Sequence, residues 1–289
     1  MKKILFTGCN GQLGRAINQE YDKSETEFIN TDVQAGEGVV ALDITNVDDV
    51  LALVREKRPD VIINCAAHTA VDLCEQQWDS AYKINAIGAR NLSIAATEVD
   101  AKLIHVSTDY VFDGNGNRPY TEFDAPGPNS AYGKTKLEGE NFVRAFAKKY
   151  FILRTAWLYG DGKNFVKTML RLSETHDKVT VVDDQVGCPT SAAELAKMIH
   201  FLEPTENYGL FHAVCEGSCS WADLAEKTFQ LAGRNTVVER VTTEEYCRRN
   251  PGQAPRPAYS ILEDYMIKLT SGFRMADWQD ALEVYLKDL

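Results

Sequence analysis

Along the first half of the chain, short apolar runs alternate with longer amphipathic stretches. Lys3 to Thr7, closed by Gly8, has the length and apolar content of a strand buried on both faces. Glu27 to Thr31 reads as a second strand and Val39 to Leu42 as a short third. A helix is expected to start near Gly11. Thr45-Asn46-Val47-Asp48 has the form of a capping box with Thr45 as N-cap, ahead of a helix carrying Val47, Val50, Leu51 and Val54 on one face. Pro59 ends that stretch before a strand at Val61 to Asn64. One long helical region is predicted from about Asp72 to Thr97, followed by a strand at Leu103 to Val106, a helix over Ser130 to Lys149 and a strand at Phe151 to Arg154. This spacing predicts βαβ units and an α/β, Rossmann-type doubly wound parallel sheet.

Beyond about Gly160 the alternation loosens. Helical stretches are expected near Asn164 to Thr175, Ser191 to Phe201, Trp221 to Leu231 and Ala276 to Leu286, with short strands between them. Pro251, Pro255 and Pro257 mark a loop. The expected division is a dinucleotide-binding domain over 1–160, completed by later segments, and a smaller C-terminal α/β substrate-binding lobe over 161–289.

Composition narrows the chemistry. A chain of 289 residues buries a sizeable core without disulfides or metal. Its 31 basic and 42 acidic residues give a formal charge of −11, which argues against a nucleic-acid polymer as partner. Any anionic ligand must then be held by local donors against an unfavourable mean field. No apolar run approaches the roughly 20 residues of a membrane span, and the N-terminal run is too short for a signal peptide. Seven scattered cysteines read as reduced thiols, so the expected location is cytoplasmic. His212, Cys215 and Cys219 lack a second ligand pair at metal spacing, and no metal site is expected.

Gly8-Cys9-Asn10-Gly11-Gln12-Leu13-Gly14 follows the first strand and opens a helix. Glycines there permit a tight turn and let a pyrophosphate approach free N–H groups at the helix N-terminus. Asp32 ends the second strand, about 20 residues beyond the glycines, where a carboxylate accepts from an adenosine ribose and disfavours a 2′-phosphate. That leans towards NADH without excluding NADPH. Asp43 and Ile44 either flank the adenine or simply announce a helix start.

The second constellation is Tyr132-Gly133-Lys134-Thr135-Lys136. At i and i+4 on a helix, Tyr132 and Lys136 share one face, so an ammonium lies beside a phenol and favours its ionisation. The preceding strand ends in Ser107-Thr108, which places two hydroxyls at the carboxyl edge of the sheet, where ligands bind in open α/β folds.

Together these residues resemble the extended short-chain dehydrogenase/reductase superfamily and, within it, the dTDP-4-dehydrorhamnose reductase family. The resemblance runs nearly end to end through Asn64 to Asp72, Val106 to Gly114, Arg154 to Gly160, Asp184-Gln185-x-Gly187-x-Pro189-Thr190 and Arg256-Pro257-x-x-Ser260-x-Leu262. It implies reduction, by NADH or NADPH, of the C4 keto group of a dTDP-linked 4-keto-6-deoxy sugar. Tyr132 would be the proton donor, Lys136 the ribose-holding cation and Thr108 their assistant. Cofactor contacts would fall on Gly8, Gly11, Gln12, Leu13, Gly14, Asp32, Asp43, Ile44, Ala67, His68, Thr69 and Val106, besides Tyr132 and Lys136. Sugar contacts would fall on Thr108, Asp109 and Trp157, whose flat face suits a pyranose, although core packing explains Trp157 nearly as well. Arg256 is a candidate for the substrate diphosphate, with a solvated loop arginine as the even alternative. Asn85 is either a proton-path anchor or a satisfied helix amide. Some members hold an intersubunit magnesium through an early glutamate; Arg15-Ala16-Ile17 occupies that place here, leaving monomer or homodimer open.

Two other readings stand beside the reductase. An epimerase or 4,6-dehydratase of the same superfamily is one, but the dehydratase glutamate after the strand-end Asp is replaced by Tyr110. A non-catalytic NADP-binding subunit, like the regulatory β subunit of methionine adenosyltransferase, is the other, and it gains nothing from an intact Thr108, Tyr132 and Lys136.

Overall fold

In β1 (Lys2–Thr7), Ile4 and Phe6 pack into one hydrophobic cluster and Leu5 into another, so the strand is buried on both faces. The computed structural model describes residues 1–289. After β1 come α1 (Gln12–Glu20), β2 (Thr26–Asp32), β3 (Val39–Ala41), α2 (Val47–Lys57) and β4 (Val61–Asn64). The cap of α2 is Asn46 rather than the expected Thr45: its Oδ1 accepts from the N–H groups of Asp48 and Asp49 at 3.1 and 3.4 Å. The N–H of Thr45 instead donates to Asp43 Oδ1.

The segment expected as one helix from Asp72 to Thr97 is broken. α3 (Val71–Gln76) and α4 (Trp78–Tyr82) meet at Gln77, whose φ of −124° and ψ of 50° are not helical. A single π turn at Lys83–Ile87 then leads into α5 (Gly88–Glu98). π turns concentrate at functional sites because the extra residue re-aims a side chain; here that side chain is Asn85. Gly88 lacks the Cβ that would collide with Ile44, so α5 packs closely beneath the loop after β3.

β5 (Lys102–Thr108), α6 (Ala131–Phe146) and β6 (Tyr150–Thr155) follow. The remainder comprises β7 (Leu158–Tyr159), α7 (Phe165–Ser173), β8 (Lys178–Val182), β9 (Val186–Gly187), β10 (Thr190–Ser191), α8 (Ala192–Leu202) and β11 (Gly209–His212). It ends with β12 (Cys219–Ser220), α9 (Trp221–Leu231), β13 (Val237–Val241), α10 (Thr243–Arg249), β14 (Tyr259–Ser260), α11 (Tyr265–Thr270) and α12 (Trp278–Lys287).

Seven parallel strands form the main sheet in the order β11-β6-β5-β4-β1-β2-β3. This is the doubly wound Rossmann order, with β11 recruited from the C-terminal half. One face is sealed by α1 and α8 through Leu13, Ile17, Leu195 and Ile199; the other by α2 and α5 through Val50, Val54, Leu92 and Ala96. No helix is long and apolar enough to cross a membrane. Cys215 and Cys219 lie in the first of these cores, while His212 Nδ1 meets the Glu263 carbonyl at 3.1 Å.

Candidate active site

Strand order reverses between β1 and β4, and a cleft of about 1010 Å³ opens there along the carboxyl ends of the strands. Of the residues picked out from sequence, it is lined by Gly8, Gly11, Gln12, Leu13, Gly14, Asp32, Asp43, Ile44, Ala67, Thr69, Val106, Thr108, Asp109, Tyr132, Lys136 and Trp157. His68 and Arg256 are not brought to it.

The glycine turn has a physical reason at two positions. Gly8 has a φ of 69°, and a Cβ there would come within 2.9 Å of the Ala66 nitrogen. A Cβ at Gly14 would meet Gly8 O at 2.5 Å, so α1 could not close on the turn. Gly11 caps α1 without a side-chain bond, and the first turn carries no acid. The N–H groups of Gln12, Leu13 and Gly14 therefore have no acceptor within the chain, an anion-binding helix end in a molecule of net charge −11. Asp32 stands at the rim, its Oδ2 accepting from the Asn10 N–H at 3.2 Å. Unpaired donors, missing Cβ atoms and a rim carboxylate suit a dinucleotide diphosphate and its ribose.

Ser130 starts α6 by accepting from the Gly133 N–H at 3.1 Å, and the Ala131 N–H donates to Glu75 at 2.7 Å. These bonds set the first turn that carries Tyr132. Its ring meets Tyr110 edge to face at 5.4 Å. Burial pushes the Tyr132 phenol up from its ordinary value, and its hydrogen bond with Thr108 acts in the opposite sense. One turn on, Lys136 is buried and Nζ donates to Val106 O at 2.6 Å. Burial lowers its ammonium to about 8, with the Glu140 carboxylate opposing. Thr108 Oγ1 donates to Asp109 Oδ1 at 2.9 Å. Asp109 is itself buried, which raises its carboxyl to about 6 although the hydroxyls of Ser260 and Thr108 hold it back.

Behind this pair lies a residue that the sequence reading passed over. Glu140, fully buried one turn past Lys136, accepts from Ser107 Oγ at 2.6 Å, from Arg154 Nε and Nη2 at 2.8 Å, and from Arg144 Nη2 at 2.8 Å. One carboxylate thus ties the helix bearing Tyr132 and Lys136 to the ends of β5 and β6. Arg154 in turn lies over the Phe112 ring at 5.0 Å. The available signal was position: Tyr132, Lys136 and Glu140 repeat at i, i+4 and i+8.

Asn85 is fully bonded. Its Oδ1 accepts from the His68 N–H at 2.8 Å, and its Nδ2 reaches His68 O at 3.2 Å and Thr135 Oγ1 at 3.1 Å. The π turn therefore pins the loop after β4 to α6. His68 Nδ1 lies 3.2 Å from Cys74 Sγ, so its ring packs behind the cleft wall while Ala67 and Thr69 face the cleft. Arg256 pairs with Asp72 at 3.0 Å, and the Ala254 N–H donates to the same carboxylate at 2.8 Å. The guanidinium faces a side cavity of about 30 Å³ beside Tyr110 instead of the main cleft. Its fork is occupied in tethering the proline-rich loop to α3.

A doubly wound sheet, a glycine turn with free helix N–H groups, and a Thr-Tyr-Lys set at the same edge define the extended short-chain dehydrogenase/reductase class. The RmlD substrate binding domain family matches residues 1–289. A dTDP-4-dehydrorhamnose reductase of Aggregatibacter actinomycetemcomitans is 40% identical, spanning 98% of this chain and 98% of that one. The crystal structure of a dTDP-4-dehydrorhamnose reductase from Clostridium acetobutylicum is similar at 54% identity and a TM-score of 0.94, covering 99% of this chain and 98% of that one. A third, from Bacillus anthracis in complex with NADP, has 42% identity and a TM-score of 0.92 over 100% and 99% of the two chains. The chain belongs to the dTDP-4-dehydrorhamnose reductase family.

Proposed function

We propose that the protein reduces the C4 keto group of dTDP-4-dehydro-6-deoxy-L-mannose to give dTDP-β-L-rhamnose, using NADH or NADPH. The observation that carries this reading is the meeting of Thr108, Tyr132 and Lys136 on the wall of one cleft with the open N-terminus of α1. The N–H groups of Gln12, Leu13 and Gly14 hold the cofactor diphosphate, and Asp32 accepts from its adenosine ribose. When bound, the reduced nicotinamide supplies the hydride to the carbonyl carbon. Tyr132 gives its phenolic proton to the carbonyl oxygen, and Thr108 hydrogen-bonds the same oxygen. The Lys136 ammonium stabilises the phenolate left behind and holds the nicotinamide ribose. Residues 1–160, with β11 and α8, serve the cofactor and proton transfer; most of 161–289 serves substrate recognition. The reading also fits the NADP found with the Bacillus anthracis relative.

The test follows NADH and NADPH oxidation with the dTDP-linked keto sugar against the same sugar on UDP or GDP. Conversion of the dTDP compound to dTDP-rhamnose is the expected result. Clear preference for another nucleotide, or cofactor binding without turnover of any of them, overturns it.

A further inference from the structure

Lys136 and Glu140 lie one turn apart on α6 and seat on consecutive residues of β5. Lys136 Nζ donates to Val106 O at 2.6 Å, and Glu140 Oε1 accepts from Ser107 Oγ at 2.6 Å. Gly139 lets α6 press against the π turn, since a Cβ there would collide with Asn85 O. Both side chains are buried, but only Lys136 lines the cleft. Glu140 sits behind the cleft wall.

The charges around this pair are unbalanced. Arg154, buried on β6, gives Glu140 two bonds at 2.8 Å, and the part-exposed Arg144, in the last turn of α6, gives a third. With Lys136, three cations surround one carboxylate. Burial works to raise that carboxyl, but the bonds from Arg154, Ser107 and the nearby Arg144 hold it below its ordinary value, so it stays ionised. The guanidinium groups keep their protons throughout. Other titratable groups packed here are neutral. His105 shares the Ser107 face of β5, and burial, with Lys136 and Arg144, pushes its imidazole well below its ordinary value. Burial pushes the Cys65 thiol, after β4, up to about 12, and that of Cys74, on α3, up to about 11. Asp109, at the end of β5, acts on the Tyr132 phenol.

We infer that Glu140 is a positioning residue for the proton transfer: as the buried anion among three cations, it keeps the Lys136 ammonium charged beside Tyr132 and so sets the upper pH limit of the reaction. Burial by itself drives Lys136 towards the neutral amine, Glu140 opposes it, and the balance stands at about 8. The ammonium is present below that value and lost above it. Without the carboxylate, Arg154 and Arg144 face the ammonium uncompensated, and the amine form takes over at lower pH. A neutral amine stabilises no phenolate, so turnover fails with it. The inference rests on the proposed function, in which Tyr132 gives the proton and Lys136 stabilises what remains.

The experiment measures kcat against pH for the wild type, Glu140→Gln, Glu140→Asp and Arg144→Gln. The charge of Lys136 is read separately, from the pH titration of its ε-13C NMR signal, assigned by its loss in Lys136→Met. In the wild type, the alkaline limb and the NMR midpoint should coincide near about 8. In Glu140→Gln both should move down by about one pH unit, so turnover falls about tenfold further at alkaline than at acid pH. A role confined to holding α6 in place would lower turnover equally at every pH. Glu140→Asp keeps the charge and should return the limb to within about 0.3 of a unit of wild type, whatever its kcat. Arg144→Gln removes a part-exposed cation and should move both midpoints the other way, up by about 0.3 of a unit. A pH-independent loss in Glu140→Gln, an Asp variant shifted as far as the Gln variant, or no upward move in Arg144→Gln overturns the assignment. Should Glu140→Gln fail to fold, Arg144→Gln decides alone. If the wild type turns over no keto sugar, the function reading fails by itself, and the NMR midpoints still judge Glu140.

Discussion

Gly8, Gly11 and Gly14 reach the cleft within a single strand-to-helix turn, whereas Trp157 and Trp221 line it from separate segments, with Gly187 packed against Trp157 and Ser260 against Asp109 from two more. On the first side the backbone does the work: β1 ends, the chain turns, and α1 begins with its N–H groups already aimed. On the second side no segment is sufficient alone. Three two-residue strands, β9, β12 and β14, have to pair before the indoles can stack or Ser260 can meet Asp109. A dinucleotide site can therefore be built from local geometry, while the stacked indoles are a property of assembled tertiary structure.

Substitutions on the two sides should separate accordingly. The largest effect is expected for Tyr132→Phe, which deletes the phenolic hydroxyl proposed as proton donor and keeps the ring. Turnover should fall about 10²- to 10⁴-fold while NADPH affinity, measured by fluorescence titration, stays near wild type. Near-normal turnover would remove Tyr132 from the mechanism. Next comes Glu140→Gln, which leaves Arg154 buried without its counter-charge. Urea unfolding should show a loss of about 3 to 5 kcal/mol. Replacing Glu140 and Arg154 together by Met should recover much of that stability yet leave turnover impaired, because the tie between α6 and the ends of β5 and β6 is gone.

Gly187→Ala probes the other wall. The added methyl must displace the Trp157 indole, so the KM for the sugar nucleotide should rise about fivefold with cofactor KM unchanged. A matching rise in cofactor KM would show that the two walls are not independent. The smallest effect is expected for Asp32→Ala. Removing a carboxylate from the rim should shift the ratio of kcat/KM values towards NADPH by about threefold, the worth of one modest hydrogen bond. An unchanged ratio would show that Asp32 does not reach the ribose.

How much was legible follows the same division. The glycine turn, the strand-end Thr108 and the Tyr132/Lys136 pair are contiguous motifs whose geometry follows from helix and strand periodicity. Boundaries set by competing local bonds were less legible, so the cap of α2 fell one residue from its expected place. The break in the helix after Asp72 was hidden because a π turn has no compositional signature, and its cause, the tie from Asn85 to His68 and Thr135, is a tertiary contact. Glu140 was visible one turn beyond Lys136, but a charged residue on an amphipathic helix ordinarily faces water. Only the arrival of Ser107 and Arg154 explains its burial. For Arg256 the sequence left a diphosphate ligand and a solvated loop arginine as even alternatives; its bond to Asp72, 184 residues away, is a tertiary contact that no local pattern announces.

By itself the sequence determined the βαβ alternation, the order of strand, glycine turn and helix, and the face that carries Tyr132 and Lys136. Each of these rests on interactions between residues a few positions apart, which periodicity and backbone stereochemistry dictate. Tertiary structure alone decided that β11 would complete the sheet, that one buried carboxylate would hold the helix bearing Tyr132 and Lys136 against two strands, and that Trp157 and Trp221 would stack. Those outcomes depend on pairings across tens of residues, where the favourable contact exists only after the intervening chain has folded.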